Sequence, residues 1–127
     1  MSHDEILNKL KEIKIENYIW IIYIGIIFMS WYSNSLEKDY FINKNINSKT
    51  KYRNIMLIIF SILLIVYLYF LYDAYTSLRN LKPNASKKER DLATLSFIAS
   101  LLITISGIIF LYITYNDNDL NIELAFN

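Results

Sequence analysis

The chain has 127 residues, of which 54% are hydrophobic and 16% aromatic, with a net charge of +1, two glycines, one proline and no cysteine. That length allows one domain, while the composition and positive mean hydropathy depart from those of soluble domains this small. The lack of cysteine excludes disulfides, thiolate metal sites and cysteine nucleophiles, and the net charge of +1 gives no reason to expect a nucleic-acid partner, whose phosphates call for a face of clustered Lys and Arg.

The apolar residues gather into three long blocks bounded by charges, where a soluble core would spread them at helix or strand period between polar positions. The predicted fold is therefore all-α: an integral membrane protein with three transmembrane helices and a short N-terminal amphipathic helix. The abundance of Ile, Asn, Lys and Tyr is what the codons of a low-GC organism or virus favour.

Residues 1–16 place Ile6, Leu10 and Ile13 on one face and Lys9, Lys11 and Lys14 around the others. Ser2 and Glu5 have capping-box spacing, which sets the helix start near Ser2. Two roles fit such a segment: an interfacial or partner-binding helix, or a solvated lead-in continuous with the next helix, and the second is the simpler expectation.

Residues 17–36 carry no charge between Glu16 and Glu37, and Tyr18, Trp20, Trp31 and Tyr32 sit towards the two ends, where aromatic belts belong. Ser33 and Ser35 after this run also suit a signal-peptide cleavage site, but the bulk of Trp31 and Tyr32 argues for a retained helix. Residues 37–53 follow as a polar segment with Lys38, Lys44, Lys49, Lys51, Arg53 and the cluster Tyr40-Phe41-Ile42. Its length predicts a solvated loop, too long for a tight helical turn, with the aromatic cluster lying back on the membrane interface.

The second uncharged block, residues 54–72, spans about 28 Å as a helix. Tyr67, Tyr69, Tyr72 and Tyr75 crowd its C-terminal half and mark an interface. The apolar row continues through Tyr75, Leu78 and Leu81, so the predicted helix covers 54–81 and ends before Pro83. Asp73 is the one acid at the edge of a span; it reads either as a proton or cation ligand or, more simply, as a carboxylate solvated at headgroup level. Residues 82–91 form a basic connection in which Ser86 and Glu89 repeat the capping-box pattern. A connection this short predicts that helices two and three form an antiparallel hairpin.

Residues 92–116 are uncharged between Asp91 and Asp117 and would make a helix about 37 Å long, enough to cross a bilayer with tilt. Ala93, Ser100, Gly107 and Thr114 recur every seventh position, and Ser96, Ser100 and Thr104 every fourth, giving one narrow stripe of small residues. Such a stripe admits close approach of another helix, within the chain or from a partner, and its hydroxyls also suit a pore wall. Packing within the chain is the plainest reading, since helix hydroxyls can bond to the preceding turn. The acidic tail, residues 117–127, alternates Leu120, Ile122, Leu124 and Phe126 but is too short to argue for a strand. Asp117, Asp119 and Asn121 imitate the start of a calcium loop, yet Ile122 stands where the loop needs glycine.

Arg79, Lys82, Lys87, Lys88 and Arg90 flank the second connection, and nothing after Arg90 is basic, which places that connection and the N-terminus in the cytoplasm. The first loop and the C-terminus then lie on the opposite side, and the sequon Asn84-Ala85-Ser86 stays unglycosylated. The same basic residues suit anionic headgroups, although topology explains them sufficiently. With His3 the only histidine and at a terminus, no catalytic constellation can be assembled, and no cofactor or metal is expected. The sequence points to a non-catalytic structural or assembly component of a membrane or membrane complex. Its expected partners are the lipid bilayer and a second copy or other membrane-protein subunits. A small oligomeric channel or permeabilising protein of viroporin or holin type is the alternative, weakened by the absence of charge within the spans.

Overall fold

A computed structural model describes residues 2–120, and these form three long helices with no strand among them. Helix α1 covers His3–Asn43, α2 Ile46–Arg79 and α3 Lys87–Asn116. Each is long and apolar enough to cross a membrane.

The starts of α1 and α3 follow from local chemistry. The Ser2 hydroxyl accepts from the Glu5 amide at 3.2 Å and the Ser86 hydroxyl from the Glu89 amide at 3.1 Å, each supplying one acceptor to the orphan amides of a first turn. No Gly or Pro interrupts residues 3–16, so the N-terminal amphipathic segment runs straight into the first uncharged block as one helix of 41 residues. Ser33 and Ser35 therefore lie in the interior of a continuous helix.

The first connection differs from expectation. Of residues 37–53, read from the sequence as a polar loop, only Lys44 and Asn45 are outside a helix. Polarity alone does not break a helix, and this segment lacks the residues that do. Lys44 adopts the left-handed conformation (φ 55°, ψ 33°) and its amide donates to the Tyr40 carbonyl at 2.8 Å, closing α1. The Asn45 side chain then accepts from the Asn47 amide at 3.1 Å and opens α2. Asp39 joins the two ends, accepting from the side chains of Asn43 (2.7 Å), Asn45 (2.8 Å) and Ser48. As a result α2 begins eight residues before the expected 54 and ends two before the expected 81. The α3 end at Asn116 matches expectation, and most of the 117–127 tail, including Ile122, Leu124 and Phe126, lies outside the described residues.

Helix α2 is central. It packs against both other helices, whereas α1 and α3 do not pack on each other. Its Tyr52, Met56, Ile59, Phe60 and Leu63 are buried and form the core with Leu36 of α1. Ser33, fully buried, lets α1 approach there; its hydroxyl donates to the Ser30 carbonyl at 2.8 Å and to Met56 Sδ at 3.6 Å. Against α3, Phe60 stacks on Phe110 with ring centroids 5.7 Å apart, and Tyr75 meets Phe97 at 6.0 Å. Thr104 donates across to the Tyr67 carbonyl at 3.4 Å as well as to its own Ser100 carbonyl at 2.8 Å.

Candidate functional site

The charges that bound the three uncharged blocks meet at each end of the molecule. At one end Glu37 closes the block on α1, Arg53 opens that on α2 and Asp117 closes that on α3, and all three line one small pocket of about 20 Å³ with Tyr52 and Thr114. Arg53 turns across to α3, its Nε donating to the Thr114 carbonyl at 3.4 Å and its Nη2 to the Tyr115 carbonyl, so it serves the unpaired carbonyls of that helix terminus. Lys49 pairs with Asp119 at 3.4 Å. Burial pushes the Tyr52 hydroxyl pKa well above the ordinary tyrosine value, and its hydrogen bond to Glu37 adds to the shift. Hydrogen bonds from Ser48, Asn43 and Asn45 hold the Asp39 carboxyl below its usual range.

At the opposite end, Glu12 and Glu16 of α1 and Asp73 of α2 all lie within electrostatic reach of Tyr69. Asp73 lines a cleft of about 580 Å³ together with Leu92, the first residue of the uncharged block on α3. The cleft is a consequence of the packing: α1 and α3 both pack on α2 and not on each other, leaving a gap floored by Phe70, Asp73, Ala74 and Ser77 of α2. Tyr23 of α1 borders it on one side and Ala93, Ser96 and Ser100 of α3 on the other.

The small-residue stripe of α3 thus divides in two. Thr104, Gly107 and Thr114 are buried, Gly107 beneath the Tyr67 ring and Thr114 bonded back to the Phe110 carbonyl at 2.8 Å. Ala93, Ser96 and Ser100 face the cleft. Among the basic residues, Arg79, Lys87 and Lys88 are exposed, and Arg90 donates to the carbonyls of Lys82 (3.1 Å) and Pro83 (3.2 Å), bracing the turn between α2 and α3. Among the interface aromatics, Tyr18, Trp20, Trp31, Tyr32, Tyr72 and Tyr75 are exposed. Tyr69 is half-buried beside Phe70, and Tyr67 stands in the α2–α3 contact, its ring drawn in by the space over Gly107.

Sequence reasoning missed Tyr23, Phe70 and Ser77 as cleft residues, and Asp39, Tyr52 and Arg53 as ties between helices. Tyr23 had a signal, because Ile19, Tyr23, Ile26 and Ser33 share the α1 face that meets α2. No group of three or more His, Cys, Asp or Glu among the described residues is arranged to hold a metal ion. The chain matches no family model, no curated protein and no solved structure.

Proposed function

We propose that the chain is an integral membrane protein with three spans, acting non-catalytically as a structural or assembly component of a membrane or membrane complex. One observation carries the membrane reading: the charges bounding the three uncharged blocks converge at both ends, so the blocks lie at a common level. The α1 block of 20 residues and the α2 block of 19 would each be about 28–30 Å long, the thickness of a hydrocarbon core. Between the charged ends, Ile21, Ile27, Phe28, Ile58, Ile65, Leu102 and Ile109 are exposed, as a surface facing lipid requires and one facing water does not.

Within this reading α2 and α3 form an antiparallel hairpin. Its support is the ladder of contacts Arg53–Thr114, Phe60–Phe110, Tyr67–Thr104 and Tyr75–Phe97, in which one residue number rises as the other falls. The N-terminus and the 82–91 connection share the end richer in Lys and Arg and face the cytoplasm; Lys44 and Asp117 face the opposite side.

The non-catalytic role rests on chemistry. His3 is the only histidine, and Asp39, Asn43, Ser48 and Arg53 are engaged in closing the first turn and in tying helices together. The span hydroxyls of Ser61, Thr104, Ser106 and Thr114 are bonded to carbonyls one turn back, which lets them lie in apolar surroundings without lining water. Planar-bilayer recording on the purified protein tests this. A structural component gives no reproducible conductance, and a unitary conductance abolished by Ser100→Leu would replace the proposal with a pore.

A further inference from the structure

The cleft between α1 and α3 has a chemical character of its own. Its lining includes one carboxylate, Asp73, and no Lys or Arg. Among the described residues Asp73 makes no ion pair and no hydrogen bond. Arg90, beyond the turn, has its guanidinium committed to backbone carbonyls. Glu12 and Glu16 of α1 lie at the same end, interleaved with Lys9, Lys11 and Lys14, and none of these lines the cleft. The cleft therefore opens at a mouth whose own lining is negative, at the border between an apolar span and a helix end that carries Lys and Arg outside the lining.

The rest of the lining is aromatic and hydroxylic. The rings of Tyr23, Tyr67 and Phe70 border the cavity, and ring faces attract cations as they accept apolar groups. The hydroxyls of Ser77, Ser96 and Ser100 have no partner among the described residues, unlike Ser61, Thr94 and Ser106, which bond to their own helix backbone. Tyr67 also lines an adjoining apolar cavity of about 490 Å³ with Ile26, Ile27, Ile59 and Leu63, so the floor continues towards the middle of the span. A cleft of about 580 Å³ lies within the range of small-molecule sites.

We propose that this cleft binds an amphipathic cation, an amine or quaternary ammonium head seated at Asp73 on an apolar body that runs along Phe70, Tyr67 and Ile103. Charge complementarity selects this class. Within the lining an anion would meet Asp73 with no base to offset it, and the phosphate of a zwitterionic phospholipid would find no Lys or Arg there to receive it. The binding requires the cleft and the acid, and it holds whichever way the chain faces across a membrane.

The test uses the full-length protein in an uncharged detergent and tetraphenylphosphonium as probe, measured by equilibrium dialysis. Saturable binding is expected, weakened about tenfold or more by Asp73→Asn, unchanged by Asp91→Asn outside the cleft, and displaced by decyltrimethylammonium but not by decanoate. Asp73 makes no hydrogen bond or ion pair among the described residues, so its amide replacement leaves the packing intact, which circular dichroism verifies. Ser96→Leu is the second variant: it keeps the carboxylate, fills the cleft from an exposed position, and also removes binding. Unsaturable uptake by the wild type, equal binding by Asp73→Asn and Ser96→Leu, or displacement by decanoate would each overturn the proposal.

Discussion

The Tyr67 ring lies so close over Gly107 that a Cβ placed there would stand 3.1 Å from Tyr67 Cδ2 and 3.4 Å from Cε2, with Leu64 Cδ1 at 3.7 Å. Alanine is accommodated by a few tenths of an ångström of ring movement, and a branched side chain is not. Gly107→Leu should destabilise the α2–α3 contact by about 1–3 kcal/mol, the usual cost of overpacking, read as a lower thermal midpoint in detergent. Gly107→Leu combined with Tyr67→Ala should recover part of that loss, because the second change reopens the space. An unchanged midpoint in Gly107→Leu would mean that this face of α3 does not meet α2.

Ser33 makes the matching contact on the other side of α2. It is fully buried, and its hydroxyl reaches both Ser30 and Met56. Ser33→Leu should cost about 1–3 kcal/mol by the same overpacking argument, and Ser33→Ala should cost less, since the Ser30 carbonyl keeps its own helix bond. Cross-linking efficiency between engineered cysteines on α1 and α2 should fall in the leucine variant alone.

Arg53 ties the start of α2 to the end of α3. Replacing it with Met keeps the apolar stem but removes the donors that reach the Thr114 and Tyr115 carbonyls. A loss of about 1–2 kcal/mol is expected, the scale of charge-assisted hydrogen bonds at a partly exposed site. Amide exchange should quicken over the last turn of α3 and stay unchanged at Ser86–Glu89.

Asp39 gives the first turn a pH dependence of known sign. Its folded pKa lies below the ordinary value because Ser48, Asn43 and Asn45 donate to the ionised form. The stability it confers is therefore present above the unfolded-state pKa of about 3.9 and lost as pH falls through the lower folded value. Asp39→Ala should flatten this acid-side dependence of unfolding. Tyr52 carries the opposite sign: its raised folded pKa makes its contribution complete below about pH 10 and lost at higher pH. Tyr52→Phe should blunt that alkaline loss.

What was legible in the residues was whatever depends on local chemistry or on long unbroken patterns. The uncharged blocks, the Ser2 and Ser86 caps and the α3 terminus at Asn116 all come from adjacent residues. The first turn was not legible, because a polar stretch without Gly or Pro gives no sign of where one helix stops, and the bend is held by Asp39 meeting Asn45 and Ser48 across it, a relation no period reveals. The cleft was hidden for a related reason: it exists because α1 and α3 both choose α2 over each other. Composition says nothing about that choice. The stripe on α3 was visible as a unit, yet only tertiary structure divides it into Thr104, Gly107 and Thr114 under α2 and Ala93, Ser96 and Ser100 on the cleft.

The absence of native cysteine permits a direct measurement of the three-span arrangement. Single cysteines at Lys9, Lys44, Asn84 and Asn118, all at exposed positions, are labelled in sealed vesicles with a membrane-impermeant maleimide. Lys9→Cys and Asn84→Cys should react from the cytoplasmic side only, and Lys44→Cys and Asn118→Cys from the opposite side only, with the chain resisting alkaline extraction. Labelling of all four positions from one side, or release of the chain by alkali, would contradict the account.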